Sequence, residues 1–431
     1  LRAGLVAVPV HLAQRLRQAV KQGAQLNLVN PVDDDLLAKV ANRAIVAPSA
    51  MAAMLAEILK AAVELKGVQI PETVKDALNA VIITDTARAM AASLIDNKPA
   101  AVFLGNLAQH HPRYADIHAL AQHIAHIAEA RFGVLGEAAN SVGAYIAGAI
   151  PDNGARSALA GNPSQPGSEG IGVSPTPGAS AAATAAARCQ AYMLMNLEPE
   201  LDSYNPQQIM KALDGAELVV MMSAYKSRGL MEGNYADVLL PIAPFTETSG
   251  TFINTEGRAQ SFNGVVAPLG DARPAWKVLR VLGNMLELAG FDYETPEQVR
   301  AEILPVGGDI SARLDNNLGS FVVEDIGQVS NGIQRIGEVP IYQADPIVRR
   351  AESLQRTQDA IAPSAWMPGD LMKKLGIRTG DTIRLKQGDG EAELPAAQDD
   401  KLPANCVRVA SAHPLTAALG EMFGEIVVER L

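Results

Sequence analysis

A chain of 431 residues, 48% of them hydrophobic, is long enough to fill the cores of two or three domains. Its formal net charge of −11 is spread along the chain, which excludes a nucleic-acid surface built from clustered Lys and Arg. Two cysteines, Cys189 and Cys406, are too few for a disulfide framework, an iron–sulfur cluster or a Cys-based zinc site held by this chain alone.

No apolar run reaches the ~18 to 20 residues that span a bilayer, and no charged segment precedes an apolar core at the start. The expectation is a soluble α/β protein of a reducing cytoplasmic compartment, associated with a membrane only through partners. The chain starts at Leu1, without an initiator Met and close to a helix, so a fragment of a longer product is expected.

Residues 11–21 have the pattern of an amphipathic helix closed by Gly23, and 26–29 that of a short strand. Ala44-Ile45-Val46 is a second strand. A helix follows, capped by Ser49 and stopped by Gly67, with Met51, Met54, Leu55, Ile58 and Leu59 on one face. The two methionines are core filler rather than a functional stripe. Residues 71–97 are mostly helical, 101–104 are a buried strand, 114–131 a long helix and 133–135 the next strand. That alternation predicts βα units of a parallel sheet.

The character changes at 153–187, rich in Gly, Pro, Ser and Ala and without periodicity, where a long surface loop is expected. Parallel β/α order resumes with strands at 192–195, 218–222 and 238–240, and a helix opened by Pro206. Residues 276–288 are another amphipathic helix, and 305–362 are expected to be irregular. From 367 onward short strands alternate with turns: 382–386, the turn Gly388-Asp389-Gly390, 406–409 and 425–428, a pattern that fits a small closed β-barrel. The predicted divisions are 1–66 and 67–190 as two α/β portions, 191–362 as the return of the α/β domain with a connector, and 363–431 as the barrel.

His118, His123 and His126 are spaced five and three residues apart, which does not bring all three onto one helix face as an i, i+4 metal pair would be. Solvated helix histidines are the expected outcome. His110-His111 lies in the loop after a strand, where a functional role and a plain turn before Pro112 are both open. No Gly-Lys dipeptide, and hence no phosphate-binding P-loop, occurs. Gly167, Gly170 and Gly172 are wrongly spaced for a dinucleotide fingerprint, and neither a G-x-S-x-G elbow nor an H-E-x-x-H helix is present.

The stretch 236–260, ADVLLPIAPFTETSGTFINTEGRAQ, is the most informative. Val238-Leu239-Leu240 is a short strand that Pro241 ends, since proline donates nothing to a ladder. Ser249-Gly250 permits a tight turn, and Glu256-Gly257-Arg258 brings a carboxylate and a guanidinium together across a residue free to take positive φ. A compact polar hairpin at a sheet edge results, placed after the third strand of a wound series, where ligands of open α/β sheets gather. Glu247, Glu256 and Arg258, with the amide of Asn254, either meet a polar cofactor or pair with one another to hold the hairpin.

This stretch resembles the segment ADVxLPxxxxxExxGTxxNxEGRxQ of the molybdopterin oxidoreductase superfamily, and the similarity extends to the α/β units before 135 and to the ending with LGIRTGD (375–381) and His413-Pro414. Within the superfamily, the ETSGTF wording, GEAANSVGAYIAGAIP (136–151) and the 349–362 connector resemble the iron–sulfur subunit of bacterial NADH:quinone oxidoreductase, respiratory complex I, that shares this scaffold. The resemblance implies interleaved, doubly wound parallel-sheet α/β domains followed by a double-psi β-barrel. Related enzymes hold a molybdopterin guanine dinucleotide cofactor with molybdenum or tungsten between such domains. The complex I subunit is expected to keep the scaffold without that cofactor, its iron–sulfur clusters lying in a part that precedes residue 1. Its partners would be other subunits of the peripheral arm, with no nucleic acid. No catalytic or metal-binding residue is then expected here. The alternative is the body of a molybdopterin-dependent oxidoreductase such as a formate dehydrogenase or nitrate reductase, in which Asn254, Glu256 and Arg258 approach the pterin.

Overall fold

The computed structural model describes residues 10–136, 138–147, 149, 189–304, 310–319 and 321–431. The segment 153–187, expected to be a surface loop, lies outside the described residues, as do Gly167, Gly170 and Gly172. The chain forms two compact units, one from residues 1–137 and 316–431 and the other from 138–315.

The first unit opens with helix Val10–Lys21 and strands β1 (Asn27–Asn30) and β2 (Asn42–Ile45), which pair in parallel with Asn27 opposite Asn42. Helix Met51–Lys66 ends at Gly67, whose φ of 63° lets its N–H reach back to the carbonyls of Val63 and Glu64. Ser49 does not cap this helix as expected. Pro48 pre-sets a short 3-10 turn, Pro48–Ala50, and the Ser49 hydroxyl instead accepts from the Ser330 N–H at 3.1 Å.

Helix Asp85–Asp96 is capped by Thr84, which accepts from Ala87 N–H. β3 (Ala101–Leu104) and β4 (Arg131–Val134) pair in parallel across helix Tyr114–Ile127. That helix stops short of the expected 131, because Glu129 turns the chain at φ 52° and Arg131 already lies in β4. Leu59, Leu78, Met90, Ile117, Leu120 and Ile124 are fully buried between these helices, and Met51 and Met54 are core residues as expected. Each such side chain contributes roughly 1.5–3 kcal/mol.

In the second unit β5 (Ala191–Met195), β6 (Leu218–Ser223) and β7 (Val238–Pro241) form a parallel sheet in that order. Asn205 caps helix Pro206–Asp214 by accepting from Gln208 N–H, and Pro206 occupies its first turn, where the missing N–H costs nothing. Tyr192, Leu194, Val219, Met221 and Leu213 make the core. Strand β7 ends at Pro241 as expected. The hairpin β8 (Gly250–Ile253) and β9 (Ala259–Phe262) follows as its own two-stranded antiparallel sheet rather than at the edge of a larger one, and helix Ala275–Met285 closes the run.

The C-terminal strands belong to the first unit and form a seven-stranded mixed sheet, a half-barrel. They are β10 (Gln334–Glu338), β11 (Ala365–Met367), β12 (Thr382–Gln387), β13 (Gly390–Gln398), β14 (Cys406–Ala410), β15 (Phe423–Glu425) and β16 (Val427–Arg430), in the order β15-β10-β14-β11-β13-β12-β16. Ile383, Leu385, Leu394, Val407, Val409 and Leu419 fill its interior.

Strand β10 corrects the expectation that 305–362 is irregular. Its sequence QRIGE shows no apolar alternation, because its second residue, Arg335, is a buried cation beside buried Ile336. Arg335 Nη1 donates to Gln387 Oε1 at 2.9 Å and to the carbonyls of Gly420 and Glu421, and Nη2 donates to Ser411 Oγ at 3.1 Å. The strand expected at 425–428 is two strands, divided at Ile426, whose N–H extends the β15–β10 pairing to the Ile333 carbonyl at 2.9 Å, after which 427–430 pairs with β12.

Candidate functional site

The turn of the β8–β9 hairpin is built by Asn254. Its Oδ1 accepts from the N–H groups of Glu256 at 3.1 Å and Arg258 at 2.9 Å, while its carbonyl accepts from Gly257 N–H at 2.9 Å. Gly257 takes φ +82°, the left-handed region that the sequence anticipated. Phe252 and Phe262 meet edge-to-face at 4.9 Å across the strands, and Thr251 and Ser261 share a 3.0 Å hydroxyl contact.

Glu256 and Arg258 are exposed and form no ion pair with each other among the described residues, so pairing does not hold the hairpin. The Oδ1 of Asn254 is committed to its own turn. Glu247 lies at the short turn Phe245–Glu247, and its Oε2 accepts from Leu269 N–H at 3.1 Å. Gly264 passes so close that a Cβ there would stand 2.9 Å from the Glu247 carbonyl carbon.

Sequence reasoning missed Asn140. Its Oδ1 accepts from the N–H of buried Ile253 at 2.8 Å, joining the segment around Asn140 to the hairpin, and helix Ser141–Ala147 packs beside β8. The two most recognisable stretches of the sequence are therefore held together as one structural element.

The histidines are structural. His111 is buried: its Nδ1 accepts from Arg113 N–H at 3.0 Å, so Nε2 carries the proton and donates to the Pro48 carbonyl at 2.9 Å. Burial holds its pKa below the ordinary value. His110 ends the short helix Asn106–Gln109. His118 is buried too, rather than solvated: it stacks on Phe132 at 5.0 Å and meets the Asn316 carbonyl at 3.0 Å. His123 meets Thr73 Oγ1 at 3.0 Å. Burial depresses the pKa of both. His126 does not join them, and among the described residues no group of three His, Cys, Asp or Glu is placed to hold a metal.

At the carboxyl ends of β5 and β6 the second unit gathers a polar cluster. Glu198 and Ser227 are buried, Asp202 Oδ2 accepts from Glu198 N–H at 2.6 Å, and the Tyr235 hydroxyl donates to Glu200 Oε2 at 3.1 Å. Burial, with Glu200 adding to it, pushes the Tyr235 phenol well above its ordinary value and keeps it a donor.

In the first unit, Arg408 on β14 lies among three carboxylates from separate segments: Glu338 at 3.4 Å, Asp34 at 3.9 Å and Asp399 at 3.9 Å, with the Trp366 ring 5.9 Å away. Burial raises the pKa of Asp34 and of Glu338 against the pull of Arg408. Neither cluster has a sequence signal, since its members are dispersed along the chain.

Residues 14–285 match the family model described as molybdopterin oxidoreductase. The chain belongs to the molybdopterin oxidoreductase family. A relative from Staphylococcus haemolyticus (strain JCSC1435), provisionally named a formate dehydrogenase, is 33% identical over 95 residues, 22% of this chain. One of the same provisional name from Staphylococcus aureus (strain USA300) is 44% identical over 71 residues, 16% of this chain. The matched segments span 9% and 7% of those relatives. Acetylene hydratase from Pelobacter acetylenicus has the same fold, with a TM-score of 0.64 at 14% identity over 97% of this chain and 75% of that one.

Membership in the molybdopterin oxidoreductase family implies a molybdopterin cofactor, and neither cysteine described fits its metal. Burial pushes the Cys406 thiol up to about 12, so at neutral pH it is no thiolate, and it lies within the β14 strand. Cys189 stands just before β5, at the amino end of that strand and not at the carboxyl end where ligands of α/β sheets sit. A thiolate ligand for molybdenum or tungsten is therefore not provided by either cysteine. No helix among the described residues is long and apolar enough to cross a membrane.

Proposed function

We propose that this chain is the body of a molybdopterin-dependent oxidoreductase of the formate dehydrogenase kind, with the metal's protein ligand contributed from outside it. The observation that carries this reading is the family match over residues 14–285, joined to local identities of 33% and 44% with relatives provisionally named formate dehydrogenases. The parallel sheets and the polar cluster at the strand ends of the second unit support it as a place for a polar, nucleotide-bearing cofactor.

A second reading, the scaffold region of the iron–sulfur subunit of NADH:quinone oxidoreductase docked among peripheral-arm subunits, has its own support. Asn254 Oδ1 is committed to its turn and Asn140 Oδ1 to Ile253 N–H, so the signature segments hold each other through these acceptors. Metal analysis of the purified full-length protein separates the two. Stoichiometric molybdenum or tungsten, together with formate-dependent reduction of a dye, is expected for the enzyme; a protein without either metal after expression with molybdate and tungstate would overturn it.

A further inference from the structure

Helix Ala275–Met285 of the second unit and the segment leading into it carry cations that neither functional reading uses. Lys277 and Arg280 lie three residues apart on one helix face, and Arg273, bridged to Ile242, stands just before the N-cap Pro274. Among the described residues none of the three forms an ion pair, and the Nε of Arg280 is buried without a hydrogen-bond partner. A buried guanidinium N–H left unmatched is costly.

These cations border two adjoining grooves of about 480 and 590 Å³, both walled by Arg273, Trp276 and Lys277. The first continues to the hydroxyls of Thr248 and Ser249, the second to Arg280 and Tyr293. Two carboxylates also line them, Glu247, which accepts from Leu269 N–H, and Glu294, so the cations remain in excess. Arg273 is held in place by donating from Nη1 to the carbonyls of Gly270 and Ala272, and Lys277 Nζ lies 5.4 Å from the Trp276 ring. Each groove is of the size that takes a small organic ligand.

We propose that this groove binds a nucleoside phosphate, its phosphates on Arg273, Lys277 and Arg280 and its planar base against the Trp276 ring. Guanidinium groups pair with phosphate oxygens through two parallel N–H bonds, and Lys277 adds a point charge. On binding, Lys277 exchanges its contact with the Trp276 face for phosphate, which frees that face for stacking. The site is independent of whether the protein carries molybdenum.

The test is isothermal titration of the full-length protein with ADP, and separately with inorganic pyrophosphate, at low ionic strength. ADP is expected to bind, with affinity falling about tenfold or more in Lys277→Gln and in Arg280→Gln, and by several-fold in Trp276→Leu. Lys277 is exposed, so its variant folds and keeps the test valid should Arg280→Gln be unstable. No heat with millimolar ADP, or an ADP affinity equal to wild type in the Lys277 variant, overturns the site. Pyrophosphate binding as tightly as ADP overturns the place given to the base.

Discussion

Gly257 is where the hairpin stores its conformational demand, and replacing it tests how the turn is held. At φ +82° an L side chain incurs the left-handed penalty, roughly 1–2 kcal/mol. A Cβ would also stand 2.3 Å from Leu314 Cδ1 and 3.2 Å from its Cδ2. Leu314 sits at the end of the short turn Ser311–Arg313, and its side chain can yield by leaving its rotamer, at about 0.5–1.5 kcal/mol.

Gly257→Ala should therefore lose about 2–3 kcal/mol, and Gly257→Val more, because a second branch enters the same space. For a unit of this size that corresponds to a Tm lower by roughly 4–12 °C. Scanning calorimetry of wild type, Gly257→Ala, Leu314→Ala and the double variant separates the two terms. The double variant should recover the steric part and keep the φ part, as a coupling between the sites. A Gly257→Ala protein that melts with wild type refutes the reasoning, and additive single effects refute the contact with Leu314.

Arg335→Met removes the donor that satisfies Gln387, Ser411 and the carbonyls of Gly420 and Glu421 inside the half-barrel, and should cost at least about 3 kcal/mol in urea unfolding followed by circular dichroism; a loss under about 1 kcal/mol would show those acceptors find other partners. His111 has a folded pKa below its unfolded value, so the stability it contributes is complete above about pH 6.5 and is lost as pH falls through that value toward the folded pKa. The fall in Tm between pH 7.5 and 5 should be shallower in His111→Gln than in wild type, and parallel curves would refute this. Asp34 behaves oppositely: its raised pKa means that ionisation costs stability at neutral pH, a cost removed as pH falls through the folded pKa. Asp34→Asn should leave Tm at pH 7 unchanged or higher, and a clear decrease would show that Arg408 contributes more than burial removes.

Much of the architecture was legible because it is written in short-range chemistry. The Gly67 stop, the helix opened by Pro206, the end of β7 at Pro241 and the positive φ of Gly257 each follow from what one residue's backbone or side chain permits. Buried Met51 and Met54 follow from a 3.6-residue period. Strand β10 was not legible: its interior residue is charged, and only the acceptors brought in from Gln387, Ser411 and 420–421 make a buried Arg335 possible. Ser49 was misassigned because a helix N-terminus and a distant N–H donor compete for the same hydroxyl oxygen, and Pro48 decided between them.

The site divides the same way. Local sequence determined by itself that 236–260 makes a strand end and a glycine turn, and its wording identified the family. Which of its polar groups remain available was a tertiary matter. Asn254 Oδ1 folds onto the N–H groups of Glu256 and Arg258, Asn140 arrives from more than a hundred residues away to take Ile253 N–H, and the Glu256 and Arg258 side chains stay apart in solvent. Hydrogen bonds and ion pairs depend on distances of about 3 to 4 Å between atoms whose sequence separation is unconstrained, so only the folded chain settles them.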